Sequence, residues 1–384
     1  MDWPNFFKIN TVKNISFIGF ANITGTAITA IFWLYLADVL GSEIYGEISY
    51  LMGIGAIATA VSLIGSEQAI TVYSAKKINI QPPIYLISLI TSFTSAIILY
   101  IAFENIGLSF FVLGYVIYLL TLGETVGRKL YKNYSIYYLI QKILFVIFAL
   151  FFYFIIGPEG ILLGYGLSML FLTKKVYNTF KHSKMDFSIL KTKSHFMINN
   201  YILDISKVST GKIDKLLIGS LFGFSLLGNY FLALQVISLL GIIPGIITRY
   251  TLPQDASGVS TKKLKFITAG FSVILALIGI FISPLVLPIL FPNYSEAVEF
   301  LPILSIFLIP STISALYISK FIGMEKTSYV IYGYLISFAI TTIGIIFLGP
   351  IWGTMGLAIS VVIASSFQAI FFVCLDFYKS KNNS

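Results

Sequence analysis

The most constraining feature of this chain is a succession of apolar runs, most of them long enough to cross a bilayer, joined by short connectors. Twelve can be marked, at about 15–39, 48–73, 84–103, 106–123, 135–156, 160–173, 196–222, 227–250, 266–290, 299–323, 327–348 and 352–375. Hydrocarbon offers the backbone no hydrogen bonds, so an isolated run of about 20 apolar residues must satisfy itself as a helix. The chain has 384 residues, 57% of them hydrophobic and 11% charged, and no soluble domain has that composition. The fold expected is an all-α polytopic membrane protein with about 12 transmembrane helices.

The net charge of +9 follows from topology rather than from a nucleic-acid partner. When connectors are assigned alternately to two sides, the basic residues, among them Lys76, Lys77, Arg128, Lys129 and Lys132, share the side of the N-terminus. The other side carries Glu43, Glu47, Glu104, Glu159 and Glu296. Lysine and arginine stay in the cytoplasm, so both termini are expected there, in a multi-pass protein of the plasma (inner) membrane. The first span is too long for a cleavable signal. Before it, Trp3, Phe6 and Phe7 beside Lys8 read as an interfacial segment.

Enzyme chemistry finds no foothold. The single cysteine, Cys374, allows no internal disulfide, and the two histidines, His182 and His195, lie in or beside one connector. No metal cluster or catalytic triad can be assembled, no cofactor is implied, and no phosphate-binding loop points to ATP. The outer connectors are too short for an external domain. The longest connector, Lys174 to Lys193, is basic, separates six spans from six and reads as a linker on anionic headgroups.

One span departs from the apolar rule. Between residues 194 and 230 lie Asp204, Lys207, Lys212, Asp214 and Lys215. A continuous helix from Lys193 to Gly223 would be about 45 Å long, the full thickness of a bilayer, so these charges lie at membrane depth. On that helix Asn200, Asp204, Lys207, Gly211 and Asp214 follow at spacings of four and three and form one stripe. An ionisable group at the bilayer centre costs about 2.5–3.5 kcal/mol, so the stripe needs a partner or a water-filled pathway. Mutual neutralisation within the bundle is the other reading.

The chain also repeats itself. VLGSEIYGEISYLMGI resembles LFGFSLLGNYFLALQV, pairing Gly41 with Gly223 and Gly46 with Gly228; GPEGILLGYGLS at 157–168 resembles GPIWGTMGLAIS at 349–360, pairing Gly157 with Gly349. Two parallel six-helix lobes around a central cavity are expected, at 1–180 and 196–384, with a basic linker at 181–195. The first offset sets Asp204 over Asn22 and Arg249 over Glu67. The latter pair could form an inner gate across the cleft, or each could pair locally. Lys142, after Gln141 in the fifth span, is a further intramembrane charge.

LADVLGSEIYGEISY, KIDKLLIGSLFGFSLLGNYFLALQV and FPNYSEAVEFLPILSIFLIP resemble, in the right order, the polysaccharide flippases of the multidrug, oligosaccharidyl-lipid and polysaccharide exporter superfamily. The resemblance implies transport of a lipid-linked oligosaccharide from the inner to the outer leaflet by alternating access, with membrane lipids and glycan-assembly enzymes as partners. On that view Lys207, Lys212 and Lys215 face the anionic group, Lys142 and Arg249 stand nearer the entrance, and Asn22 and Asn200 contribute polar groups for the sugar. Glu67, Asp204 and Asp214 are gating carboxylates or binding sites for a coupling H+ or Na+. A cation or drug exporter of the same superfamily and a non-transporting scaffold are the alternatives; three lysines in one span weigh against the exporter. The usual loop of a major-facilitator porter is missing, since SAKKINIQ follows the second span.

Overall fold

The computed structural model describes residues 9–182, 185–256, 261–324 and 326–382; almost all are helical, and no strand occurs among them. Trp3, Phe6, Phe7 and Lys8 lie outside the described residues. In chain order the helices are α1 (Ile9–Leu63), α2 (Ser66–Ala75), α3 (Gln81–Phe103), α4 (Ile106–Gly127), α5 (Tyr131–Ile156), α6 (Glu159–Leu167), α7 (Thr173–His182), α8 (Ser188–Thr210), α9 (Ile213–Phe222), α10 (Phe224–Leu240), α11 (Ile242–Ala256), α12 (Lys262–Leu290), α13 (Ser295–Gly323) and α14 (Thr327–Asn382).

Among the described residues seven helices are long and apolar enough to cross a membrane, and an eighth crossing forms if α10 and the first turns of α11, bent by 56°, count together. Two of the seven are broken inside. Helix α1 is interrupted at Gly41 (φ 72, ψ 168) and α14 at Gly353 (φ 55, ψ −134), and each is long enough for two crossings. Together with the broken helices this accommodates the twelve-span layout. Residues such as Phe154, Phe266 and Ile289, at 75%, 82% and 80% exposure, present the apolar surface that lipid requires.

The seventh span corrects the sequence reading. It is two helices, because α8 closes at Thr210 and α9 opens at Ile213. The last turn of α8 tightens, with the Lys212 N–H donating to Ser209 O at 3.1 Å, and Lys212 leaves helical geometry at φ −131. Gly211, a poor helix former, stands at the break. The stripe from Asn200 to Asp214 is therefore cut before its last member.

The chain packs as two compact units: Met1–Phe32 with Ile54–Ile205, and Trp33–Gly53 with Ser206–Ser384. What draws the middle of α1 into the second unit is an aromatic cluster. Tyr45 stacks near Phe231 at 4.9 Å, Trp33 meets Phe231 at 5.6 Å, and Tyr294 donates from its hydroxyl to Ala37 O at 2.6 Å.

Within the second unit the glycine repeat becomes geometry. Gly223 adopts φ 91, ψ 166, matching Gly41, so the two pseudo-equivalent chains turn alike. Beyond each turn the helices cross reciprocally. A Cβ on Gly46 would stand 1.9 Å from Phe224 O, and one on Gly228 would stand 1.8 Å from Ser42 O. Each glycine thus meets the residue equivalent to the other's contact, as a local two-fold demands. The Ser42 and Ser225 hydroxyls share a hydrogen bond of 3.0 Å at this crossing.

The second glycine match shifts by one helical turn. The positive-φ equivalent of Gly157 (φ 82) is Gly353 (φ 55), not Gly349. Contacts agree: a Cβ on Gly160 meets Phe152 O and one on Gly356 meets Leu348 O, each eight residues earlier. Glycines spaced by three and four in both runs let the sequence slide by a turn and still align.

Candidate functional site

The sequence candidates fall in both units. In the second, Asp214 occupies the first turn of α9, where the helix dipole favours a carboxylate. Its Oδ2 accepts from the Tyr230 hydroxyl at 2.6 Å; its Oδ1 accepts from the Lys215 backbone N–H at 2.8 Å and lies 3.6 Å from Lys215 Nζ. Asp214 and Lys215 are both buried, at 8% exposure. A buried ion pair with both carboxylate oxygens held is an architectural element unless something displaces its partners.

The run Leu227-Gly228-Asn229-Tyr230 completes this knot. Gly228 makes the close crossing, and Tyr230 binds Asp214. Asn229 accepts from the Ala297 N–H at 3.0 Å with Oδ1, and its Nδ2 donates to Glu296 at 2.7 Å. It thereby ties the first turn of α13, including the helix's own acidic residue, to α10. Of the other candidates here, Lys207 is exposed and Lys212 half-buried at the helix break. Arg249 lies in α11, and its side chain, with the Glu67–Arg249 gate, lies outside the described residues.

The first unit holds a different arrangement. Lys142, half-buried in α5, places Nζ 5.2 Å from the centre of the Tyr138 ring, and no carboxylate pairs with it among the described residues. Helix α1 makes room for both: a Cβ on Gly25 would stand 2.4 Å from Tyr138 and 3.1 Å from Lys142. One turn earlier in α1 is Asn22, buried and donating to Ile18 O at 2.8 Å. The geometry thus brings Asn22 and Lys142 onto facing helices. Asn200 donates to Phe196 O at 2.8 Å, while Asp204 and Glu67 are half-buried in α8 and α2.

Sequence reasoning missed the tyrosines around Lys142. Tyr134 and Tyr138 stack at 6.0 Å, Tyr115 and Tyr118 at 6.3 Å, and Tyr165 lies on Phe145 at 4.0 Å. The Tyr118 hydroxyl and Gln141 Oε1 are buried without a hydrogen-bond partner. The signal was present in YKNYSIYYLIQK, where Tyr134, Tyr138, Gln141 and Lys142 recur at helical spacing. These side chains offer hydroxyl and amide groups, ring faces and one cation inside a helical bundle.

No family model and no curated protein sequence matches the chain. Solved structures do match in shape. A multidrug resistance MATE family transporter of the MOP superfamily, in an inward-facing conformation, aligns with TM-score 0.70 at 14% identity over 93% of this chain and 95% of its own. An outward-facing structure so described gives 0.64 at 16% identity, covering 97% of each chain. A MOP superfamily transporter from Pyrococcus furiosus, whose structure is described by a reverse polarity of its binding pocket, gives 0.64 at 14% identity over 97% of this chain and 96% of that one. The fold is that of the MATE transporters.

Within this MATE fold the two candidate regions differ in kind. The Asp214 knot is closed on itself, whereas the Lys142 region keeps a cation and two buried polar atoms without partners.

Proposed function

We propose that this chain is an alternating-access membrane transporter that flips a polyprenyl-linked oligosaccharide from the cytoplasmic to the outer leaflet. The observation that carries the reading is Lys142: a half-buried ammonium in the fifth span, with a tyrosine ring beside it and no carboxylate paired with it among the described residues. Ionisable groups at membrane depth pair with one another or mark a pathway, and this one does not pair. Its charge suits the phosphate or pyrophosphate of a carrier lipid, and the surrounding hydroxyls suit a sugar. Lys207 and Lys212, with no carboxylate within salt-bridge distance among the described residues, add positive charge; Lys215 does so only if it leaves Asp214.

In this proposal residues 1–180 and 196–384 are the moving lobes, except that Trp33–Gly53 belongs with the second; the termini are cytoplasmic and the protein resides in the plasma membrane. Glu67, Asp204 and Asp214 are the carboxylates on which H+ or Na+ coupling would fall, and Asp214 would have to leave Tyr230 to take part. The second reading, a multidrug exporter, is favoured by the description of two structural neighbours. The reversed pocket polarity described for the Pyrococcus neighbour is a precedent for departing from it.

The test is leaflet-resolved accessibility of a polyprenyl-pyrophosphate oligosaccharide in proteoliposomes. Wild type should speed its movement and Lys142→Met should slow it about tenfold, the effect of losing about 1.4 kcal/mol. Export of a cationic dye with no movement of the lipid would overturn the proposal.

A further inference from the structure

A second basic site lies in the first unit, and Lys142 is not among the residues that line it. The turn from α2 to α3 and the turn from α4 to α5 meet around a cavity of about 530 Å³, lined by Ser74, Lys77, Asn79, Gln81, Arg128 and Lys129 among others. That volume lies within the range of small-molecule sites. The two turns are built alike. In each the chain closes a helix with a six-residue loop bond, Ile78 N–H to Tyr73 O at 2.9 Å and Leu130 N–H to Thr125 O at 3.0 Å. At the left-handed position of each, where glycine is the usual residue, stands a lysine: Lys77 at φ 59 and Lys129 at φ 59. A side chain there costs about 1 kcal/mol relative to glycine. The fold accepts that cost twice, and both lysines line the one cavity.

The floor of the cavity is polar and incompletely satisfied. Gln81 is 3% exposed; its Nε2 donates to Ser74 Oγ at 2.8 Å and its Oε1 has no partner. The nearby carboxylate does not cancel the rim charge. Glu124 is buried beneath it, 2.7 Å from Arg128 Nε, 3.7 Å from Lys175 Nζ, and it accepts from the Tyr85 hydroxyl at 3.0 Å. Arg128, 46% exposed, has further guanidinium N–H groups, so Lys77, Lys129 and Arg128 together leave the opening strongly positive.

We propose that this cavity binds a phosphate-bearing group, its natural source being the headgroup of an anionic phospholipid of the inner leaflet. It sits where two cytoplasmic connectors meet the membrane surface on the topology proposed above, and clustered lysines and arginines at that level recognise such headgroups. The site is separate from the cargo and does not depend on which cargo is carried.

The experiment uses the full chain in detergent micelles, titrated with phosphatidylglycerol or phosphatidylcholine, with binding read by native mass spectrometry and by thermal unfolding. The decisive variant is Lys77→Gly with Lys129→Gly. Glycine suits both left-handed turns, so the lipid-free protein should unfold at the same or a higher temperature. Phosphatidylglycerol should bind wild type in preference to phosphatidylcholine and bind the double variant about 30-fold more weakly, about fivefold for each lysine at a headgroup surface. Equal affinity of the two proteins for phosphatidylglycerol, or no preference of wild type for it, would overturn the assignment. Displacement of the lipid by inorganic pyrophosphate would support a site that reads phosphate alone; persistence of the lipid would support one that also needs the acyl-glycerol part.

Discussion

Two intramembrane lysines, Lys215 in α9 and Lys142 in α5, show how the same residue type can serve opposite ends. Lys215 is buried against Asp214, whose other oxygen is held by Tyr230. Lys142 is half-buried against Tyr138 with no acid beside it among the described residues. The first arrangement spends its charge on holding α9 to α10, and the second leaves its charge for something not in the chain. Sequence position alone ranks Lys215 higher, since it sits in the most charged span. Partners, not position, separate architecture from binding.

The largest effect should come from the crossing that supports the Asp214 knot. Gly46→Leu or Gly228→Leu would drive a side chain into backbone that a Cβ alone would reach at 1.9 or 1.8 Å. Overpacking against backbone costs about 1–3 kcal/mol even for smaller insertions, and here a whole isobutyl group has no space. Little or no folded protein should survive size-exclusion chromatography. A monodisperse, active Gly228→Leu protein would show that the reciprocal crossing is not needed for the fold.

Next comes the knot itself, and here the two lysines can be compared directly. Asp214→Ala strips Lys215 and Tyr230 of their shared acceptor and should destabilise the protein by about 3–5 kcal/mol, the usual cost of stranding a buried charge. Removing both charges, as Asp214→Leu with Lys215→Met, should recover most of that loss. Lys142→Met should leave thermal stability within about 0.5 kcal/mol or raise it, because no ion pair is broken. If Lys142→Met proved as damaging to stability as Asp214→Ala, the contrast would fail and Lys142 would be structural.

Much of this was readable from the sequence, and the exceptions have physical causes. Most span positions followed from apolar length alone, although the second, sixth, seventh and eighth are each broken into shorter helices, and Gly41 with Gly223 marked true equivalents because a positive φ demands glycine in both. The second repeat slid by a turn because its glycines recur at helical spacing. The stripe of charges failed at Gly211, where periodicity presumes a helix that the chain does not continue. The Tyr230 hydroxyl bond to Asp214 spans 16 residues and the helix break at Gly223, so no fixed period could reveal it. The tyrosines around Lys142 were visible as a helical recurrence but carried no charge to draw notice.

The smallest effect tests the symmetry on which the comparison rests. Gly41 and Gly223 share φ near 72 and 91 with ψ 168 and 166, and a Cβ at either would meet nothing within 4 Å. Alanine at each position therefore suffers only the backbone cost of an unsuitable conformation, about 1–2 kcal/mol. The two single substitutions should lower the unfolding temperature equally, and the double variant should lose the sum of the two, since neither side chain reaches the other turn. Unequal costs would mean that one turn is strained by its surroundings and the other is not. In that case the two helices would be related by sequence descent but not by mechanical role, and Asp204 could not be weighed against its uncharged counterpart Asn22 as members of one pattern.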